Sequence, residues 1–179
     1  GYDEDHPYVG RDPRFYMTFA YDGSEFTVND KTQTIETFEG GKDATATNKT
    51  ATKTGYYLKK LLSPQAVWDG RTNNITRTWI LMRYAEVLLN YAEAMNEYCE
   101  SPSQAPNDSI YKVVELIRKR AELSPYKLPA GLTKEEMREV IRNERRVELA
   151  FEEHRFFDIR RWRLLDDPQE KADYLKIEG

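Results

Sequence analysis

The residues with the most potential for chemistry lie in one run, ERRVELAFEEHRFFDIRRW, at positions 144–162. Wound into a helix, Glu144, Glu148, Arg155 and Asp158 share a face with Met137, Ile141, Phe151 and Trp162. A pair of carboxylates on one face is the equipment of a glycoside hydrolase, one acting as acid and the other as nucleophile or base, with Glu144, Glu148 and Glu152 as candidates. An acid catalyst needs a raised pKa, however, and neighbouring cations lower it. Arg145, Arg155, Arg160 and Arg161 stand beside these carboxylates. Charges on an apolar face are costly unless paired. The run therefore reads as an ion-pair network between helices, and no catalytic residue is assigned.

The other reactive side chains say less. His154 has no nearby Ser, Cys or second His, and His6 is far away in sequence, so a structural or surface histidine is expected. Cys99 is the sole cysteine, which excludes an internal disulfide and any cysteine-based zinc site. It sits in an apolar helical pattern and reads as a small core residue. Nucleophile-elbow, P-loop, zincin and EF-hand strings are absent. Gly40-Gly41 leads into no helix and makes no phosphate cradle. Neither a metal nor a cofactor is expected.

The elements that must position these groups fall into two regions of different character. Residues 1–76 are rich in Gly, Thr, Asn, Asp and Pro. Within them GGKDATATNKTATKT (40–54) is polar and of low complexity, and reads as a long exposed loop. Residues 14–21 and 56–62 are short apolar or alternating runs, readable as strands, short helices or extended packing segments. Asp22-Gly23 marks a turn. From residue 77 the pattern turns helical. In TWILMRYAEVLLNYAEAMNEY (78–98), Arg83, Glu86, Asn90, Glu93 and Glu97 recur every three or four residues and form one polar stripe on an otherwise apolar helix. Such a helix is surrounded by other elements. A second helix is expected over 108–123, with Ile110, Val113, Val114, Ile117 and Ala121 on one face, Asn107 or Asp108 as cap, and Ser124-Pro125 as its end. The link between the two is short, so they pack as an antiparallel hairpin with Leu81, Ala85, Leu88 and Ala92 buried. That hairpin is also the unit of a tetratricopeptide-type repeat, present here in one clear copy. A third helix begins at Thr133, whose Glu three residues on completes a capping box. It runs to about Glu152, breaks near His154, and resumes over 156–164.

Composition narrows the function. The chain is 12% aromatic with twelve Tyr and three Trp, so it folds, and its rings can fill a core or stack on flat ligands such as sugars. With a formal net charge of −4 and no isolated basic block, nucleic acid is an unlikely partner. No apolar run reaches about 18 residues, so no membrane span is expected, and GYDEDHPY at the start is not a signal peptide.

Five strings together resemble the successive signatures of the SusD/RagB family: RDPRFYMTFAYDG (11–23), TGYYLKKLLSP (54–64), RTWILMRYAEVLLNYAEAMNE (77–97), IRKRAELSPYKLPAGLTKEE (117–136) and IRNERRVELAFEEHRFFDIRRW (141–162). The resemblance implies an all-α protein, mostly helical, of tetratricopeptide-like helix pairs with long irregular loops. It implies a single SusD-like domain truncated at both ends, with 1–76 as a loop-rich ligand-side segment, 77–165 as helical scaffold and 166–179 as a peripheral tail. It further implies a non-catalytic protein on the surface of the outer membrane, lipid-anchored through an N-terminal cysteine absent here. Its partners would be a glycan or other nutrient and a SusC-like TonB-dependent transporter. The alternative is a helical-repeat interaction module without a small ligand. Two departures stand out: the family often has Gly where this chain has Glu122 and Glu153. Ligand contacts in the family come mainly from loops, which leaves Tyr2, Tyr8, Tyr21, Phe26, Tyr56 and Trp68 as aromatic candidates. Trp68 lies in the turn-rich AVWDGRTNN with Asp69, Arg71, Asn73 and Asn74. A ring covering the C–H face of a sugar, beside polar groups for its hydroxyls, is the arrangement sugar recognition needs. The same ring could instead pack onto the hairpin as core. The expected ligand set is Trp68, Asp69, Arg71, Asn73 and Tyr21.

Overall fold

The computed structural model describes residues 5–66, 75, 79–166, 168 and 171. It divides into two compact units, residues 1–79 and 80–179, close to the change of composition at 76/77.

The first unit is built from short pieces. Asp12 caps helix α1 (Pro13–Thr18) by accepting the Arg14 backbone N–H at 2.9 Å, and Pro13 fills the first turn, where a missing N–H costs nothing. Strand β1 (Phe19–Ala20) follows and pairs antiparallel with β4 (Tyr57–Leu58), so residues 14–21 and 56–62 meet. Asp22-Gly23 makes the expected turn, with Gly23 at φ 77°. Strands β2 (Glu25–Val28) and β3 (Lys31–Thr34) form a hairpin whose two turn residues, Asn29 and Asp30, take positive φ as a type I′ turn demands. The expected loop over 40–54 holds neither helix nor strand, but its first residues are anchored. Asp22 Oδ1 accepts the Thr37 and Phe38 N–H groups at 2.7 and 3.1 Å, and Asp43 Oδ2 accepts that of Glu36 at 2.9 Å. Gly41 lies so close to the Glu36 carbonyl that no Cβ would fit there.

The second unit is a helical bundle. Helix α2 (Tyr84–Tyr98) packs against both α3 (Ser109–Arg120) and α4 (Lys134–Glu148), and α5 (His154–Arg161) closes it. Early α2 meets late α3, through Leu89 and Ile117; late α2 meets early α3, through Ala92, Ile110 and Val114. The two therefore run antiparallel, as the short link requires. Met137, Ile141 and Leu149 complete the core from the α4 side. Fully burying one such aliphatic side chain stabilises the fold by about 1.5–3 kcal/mol. Thr133 and Glu136 form both hydrogen bonds of the capping box at the start of α4.

Several expectations need correction. Helix α2 begins at Tyr84, six residues after the expected start, so Leu81 lies outside it and is 83% exposed. Ala85 and Ala92 are buried as expected, but Leu88 is half-buried and its neighbour Leu89 takes the core position. Neither Asn107 nor Asp108 caps α3 with its side chain; both adopt left-handed backbone instead. Helix α4 stops at Glu148, four residues early. The corner before α5 is turned by Phe151 and Glu153 at φ 63° and 67°.

Candidate functional site

The carboxylates that opened the sequence reading are all paired. Glu144, 2% exposed, faces Arg118 at 3.6 Å. Glu148, 3% exposed, accepts from Arg83 Nη1 at 2.6 Å and from Arg120. The same Arg83 donates to both oxygens of Glu152, at 2.6 and 2.9 Å, and to the Glu148 carbonyl. Asp158 accepts two hydrogen bonds from Arg145 at 3.2 Å, and Arg145 also donates to Asn90 Oδ1 at 2.6 Å. His154 lies 3.6 Å from Glu86.

This geometry explains the polar stripe on α2. It is not a solvated face. It is a seam along which Arg83, Glu86, Asn90, Glu93 and Glu97 each meet a partner from the chain after residue 133: Glu148 and Glu152, His154, Arg145, Arg161 and Arg138. The expected ion-pair network is present, with Arg145 and Arg161 in it, while Arg160 lies over the Phe156 ring. Arg83, Arg118 and Arg120 are the partners that reading the run by itself missed. Arg83 was detectable as a member of the three–four repeat. Burial alone would lower the Arg83 pKa, but its bonds to Glu152 and Glu148 raise it. Burial alone would raise that of Glu93, but Arg161, Trp162 and Arg145 hold it below the ordinary carboxylate value. Glu144, Glu148, Glu152, Asp158, Glu93 and Glu97 each contact a guanidinium, and a neighbouring cation is the reverse of what a general acid needs.

Of the expected ligand residues, Trp68, Asp69, Arg71 and Asn73 lie outside the described residues, as do Tyr2 and Asn74. Tyr21 lies in a cluster of six half-buried rings. Its ring is 4.4 Å from that of Tyr8, 5.3 Å from Phe15 and 6.1 Å from Tyr16, and Tyr56 stands edge-on to Tyr8 and Phe15. Phe19 joins through Phe15 and Tyr56. Helix α1 and strand β1 supply Phe15, Tyr16 and Phe19; the 19–24 turn presents Tyr21, and the chain entering β4 presents Tyr56. The Ser24 hydroxyl accepts the Tyr21 N–H and donates to the Tyr21 carbonyl, which fixes the turn, and the Tyr16 hydroxyl donates to the Tyr8 carbonyl at 2.7 Å. Partial burial, then the nearby Tyr16 phenol, push the Tyr21 pKa up. In the same unit the anchored loop encloses a polar cavity of about 260 Å³, lined by groups including Thr37, Asp43, Thr45, Thr52 and Lys53. Half-exposed rings supply apolar faces and edges, and the loop supplies hydroxyls, a carboxylate and an ammonium. None of the six rings lines that cavity, so the unit offers two separate surfaces, one aromatic and one polar, each of a kind that contacts hydroxylated ligands. Phe15, Tyr16 and Phe19 were not singled out from the sequence, although the density of rings in RFYMTFAY signals them.

Comparison with known proteins agrees with this architecture. The SusD family matches residues 1–176. A SusD-like protein P2 from Formosa agariphila is 43% identical over 48% of this chain and 17% of that protein. The crystal structure of a SusD-like protein from Bacteroides fragilis superimposes with a TM-score of 0.67 at 32% identity, covering 88% of this chain and 29% of the other. That of a SusD homolog from Bacteroides thetaiotaomicron gives 0.59 at 26% identity, covering 94% and 34%. The chain thus spans between 17% and 34% of the length of these relatives.

Proposed function

The chain belongs to the SusD family, and from that premise we propose that it is part of a cell-surface binding protein of the outer membrane, which captures a glycan or other nutrient and passes it to a SusC-like TonB-dependent transporter. The supporting observation is the division of labour between the two units. The loop-rich unit gathers six half-buried rings and a polar cavity. In the helical unit the carboxylates with catalytic potential are neutralised by guanidiniums. Both observations support binding without turnover. Anchorage is through a lipid on the full-length protein; no helix among the described residues is long and apolar enough to cross a membrane. The ligand set combines Tyr21 and its ring neighbours with Trp68, Asp69, Arg71 and Asn73.

The test is calorimetry of the full-length protein against a panel of neutral glycans, with product analysis of each mixture. Expected are affinities near millimolar, about −4 kcal/mol, with every glycan recovered intact. Tyr21→Ala and Trp68→Ala should each abolish measurable binding in samples whose circular dichroism is unchanged. Hydrolysis of any glycan, or full affinity in both folded variants, overturns the reading. Transporter partnership is tested by co-purification from outer membranes.

The alternative, a helical-repeat interaction module, has one observation in its favour. Tyr84, Val87, Tyr91 and Tyr98 form an exposed apolar stripe on α2, 70%, 46%, 41% and 86% exposed, at helical spacing. A full-length protein that retains a protein partner but binds no glycan would favour it.

A further inference from the structure

The ring cluster and the polar cavity share no residue, yet the chain ties them together at two places. The first is the turn after β1. Tyr21 belongs to the rings, and the next residue, Asp22, holds the cavity. Its Oδ1 accepts the Thr37 N–H at 2.7 Å and the Phe38 N–H at 3.1 Å, across fifteen and sixteen residues of chain. Thr37 lines the cavity. The second is the approach to β4. Gly55 lines the cavity, and the next residue, Tyr56, belongs to the rings. The hydroxyl of Tyr57 then donates to the carbonyl of Asp43, another lining residue, at 3.3 Å.

The chain between these ties has little else to hold it. Residues 45–50 are all exposed, and the loop holds neither helix nor strand. Its own hydrogen bonds are local: Asp43 N–H to the Glu36 carbonyl, Ala44 to Gly41, and Thr47 and Asn48 to Ala44. Such bonds place the loop residues relative to one another, but not relative to the rings. Among the described residues, the hydrogen bonds that reach from 36–53 to the rest of the unit are those of Asp22 and Tyr57. An aspartate in a turn usually bonds its own backbone two residues on. Here the carboxylate reaches a distant segment instead. A binding surface keeps its geometry only where supporting residues of this kind lock it.

We propose that Asp22 is a positioning residue for ligand capture. It fixes the cavity wall at Thr37 to the turn that carries Tyr21, with Tyr57 as the second tie, so that the polar and aromatic surfaces keep one geometry. The consequence for affinity rests on the capture reading above; the tie itself rests on the hydrogen bonds. Asp22 lines neither surface and is needed only as an acceptor, so Asn can replace it and Ala cannot.

The experiment uses the full-length protein and has two arms. The first is amide hydrogen exchange without ligand. Asp22→Ala should speed exchange over 36–48 about tenfold or more, leave α2, α3 and α4 unchanged, and be rescued by Asp22→Asn. Tyr57→Phe, which removes a single hydrogen bond, should speed the same segment less, and it decides this arm if Asp22→Ala does not fold. The second arm is calorimetry with maltoheptaose, cellohexaose and xylohexaose. Asp22→Ala should abolish measurable binding, and Asp22→Asn should retain it. Ile141→Val, a destabilising change in the helical core, should retain it too, which separates positioning from a general loss of stability. Unchanged exchange in the folded variants, or full affinity in folded Asp22→Ala, overturns the proposal. So does lost affinity in Asp22→Asn with exchange like the wild type, since the charge would then be a ligand contact. If none of the three glycans binds the wild type, the capture reading fails, and exchange alone supports or overturns the tie.

Discussion

At the scale of the residue, position in the ion-pair network matters more than residue type. Glu148 is the most constrained carboxylate, since Arg83 and Arg120 both converge on it and it is 3% exposed. Removing one partner of a buried pair strands the other, typically at 3–5 kcal/mol. Glu148→Gln should destabilise the protein by about 3 kcal/mol, the low end of that range, because Arg83 keeps Glu152. Urea titration measures this, and a loss under about 0.5 kcal/mol would show the pair to be incidental. Glu122 makes the opposite case. It follows α3 at φ 59°, with its N–H on the Lys119 carbonyl and the Leu123 N–H on the Arg118 carbonyl. That is the Schellman arrangement, in which glycine is preferred because a Cβ is strained there. Glu122→Gly should therefore raise stability, by about 0.5–1 kcal/mol once glycine's unfolded-state entropy is subtracted. An unchanged or lower melting temperature counts against the strain. Glu122 and Glu153 are the two positions where the resemblance led one to expect glycine, and both have positive φ. The family pattern had marked the backbone geometry correctly, even though the side chains differ.

At the scale of the element, α2 decides most of the outcome. Leu89 is fully buried against Ile117 and Leu149, so Leu89→Ala should cost about 2–5 kcal/mol. Leu81, outside the helix and 83% exposed, should tolerate the same change within about 0.5 kcal/mol. Paired chemical denaturation curves check both, and equal losses would mean that the helix begins earlier. The pH dependence follows from the seam. Glu93 and Glu97 both have pKa values below the ordinary 4.5 in the folded state. For Glu93 burial opposes the shift and the bonds from Arg161 and Trp162 prevail; for Glu97 the bond from Arg138 leads. The unfolded chain binds those protons more readily. Their contribution is thus complete above the ordinary value and is lost as pH falls through the lowered ones. Thermal melts should show stability flat at neutral pH and dropping below about pH 4.5, less steeply in Glu97→Gln. A flat profile to the lowest pH would remove the seam as a source of stability. Much of this was legible in the sequence. The hairpin, the capping box and the three–four polar repeat are local patterns that survive folding. What was not legible was the meaning of the repeat. A polar stripe looks the same whether it faces water or a second charged helix, and only tertiary packing decides between them. The start of α2 was misplaced because residues 79–82 are an unbroken apolar run leading into the repeat, and apolar character alone does not report where a helix begins.

At the scale of the whole molecule, the exposed stripe of Tyr84, Val87, Tyr91 and Tyr98 departs from an ordinary soluble surface. The chain spans 29% and 34% of its two solved relatives, so a surface that is bare in 179 residues has ample chain in those proteins to meet it. Prepared alone, the 179-residue chain should self-associate through this stripe, and Val87→Asp with Tyr98→Asp should shift sedimentation toward the monomer. A monomeric wild-type chain at high concentration would show that the stripe is not adhesive. The candidate site was the least legible part at this scale. Trp68 was singled out by its polar company and lies outside the described residues, whereas the ring cluster around Tyr21 comes together only when residues 8, 15, 16, 19, 21 and 56 converge in space.

The solitary thiol has a practical consequence. Cys99 is the chain's single cysteine and is buried beside Ala92 and Ile110 at the end of α2, shielded from reagents in solution. Asn48 sits at the exposed tip of the 40–54 loop, close in sequence to Thr45 and Thr52, which line the polar cavity. A cysteine placed at Asn48 would be the one thiol that a maleimide dye can reach, with the native residue left in place. An environment-sensitive fluorophore there would give an optical readout of the loop-rich unit, and with it a way to screen unidentified compounds by the change in emission alone.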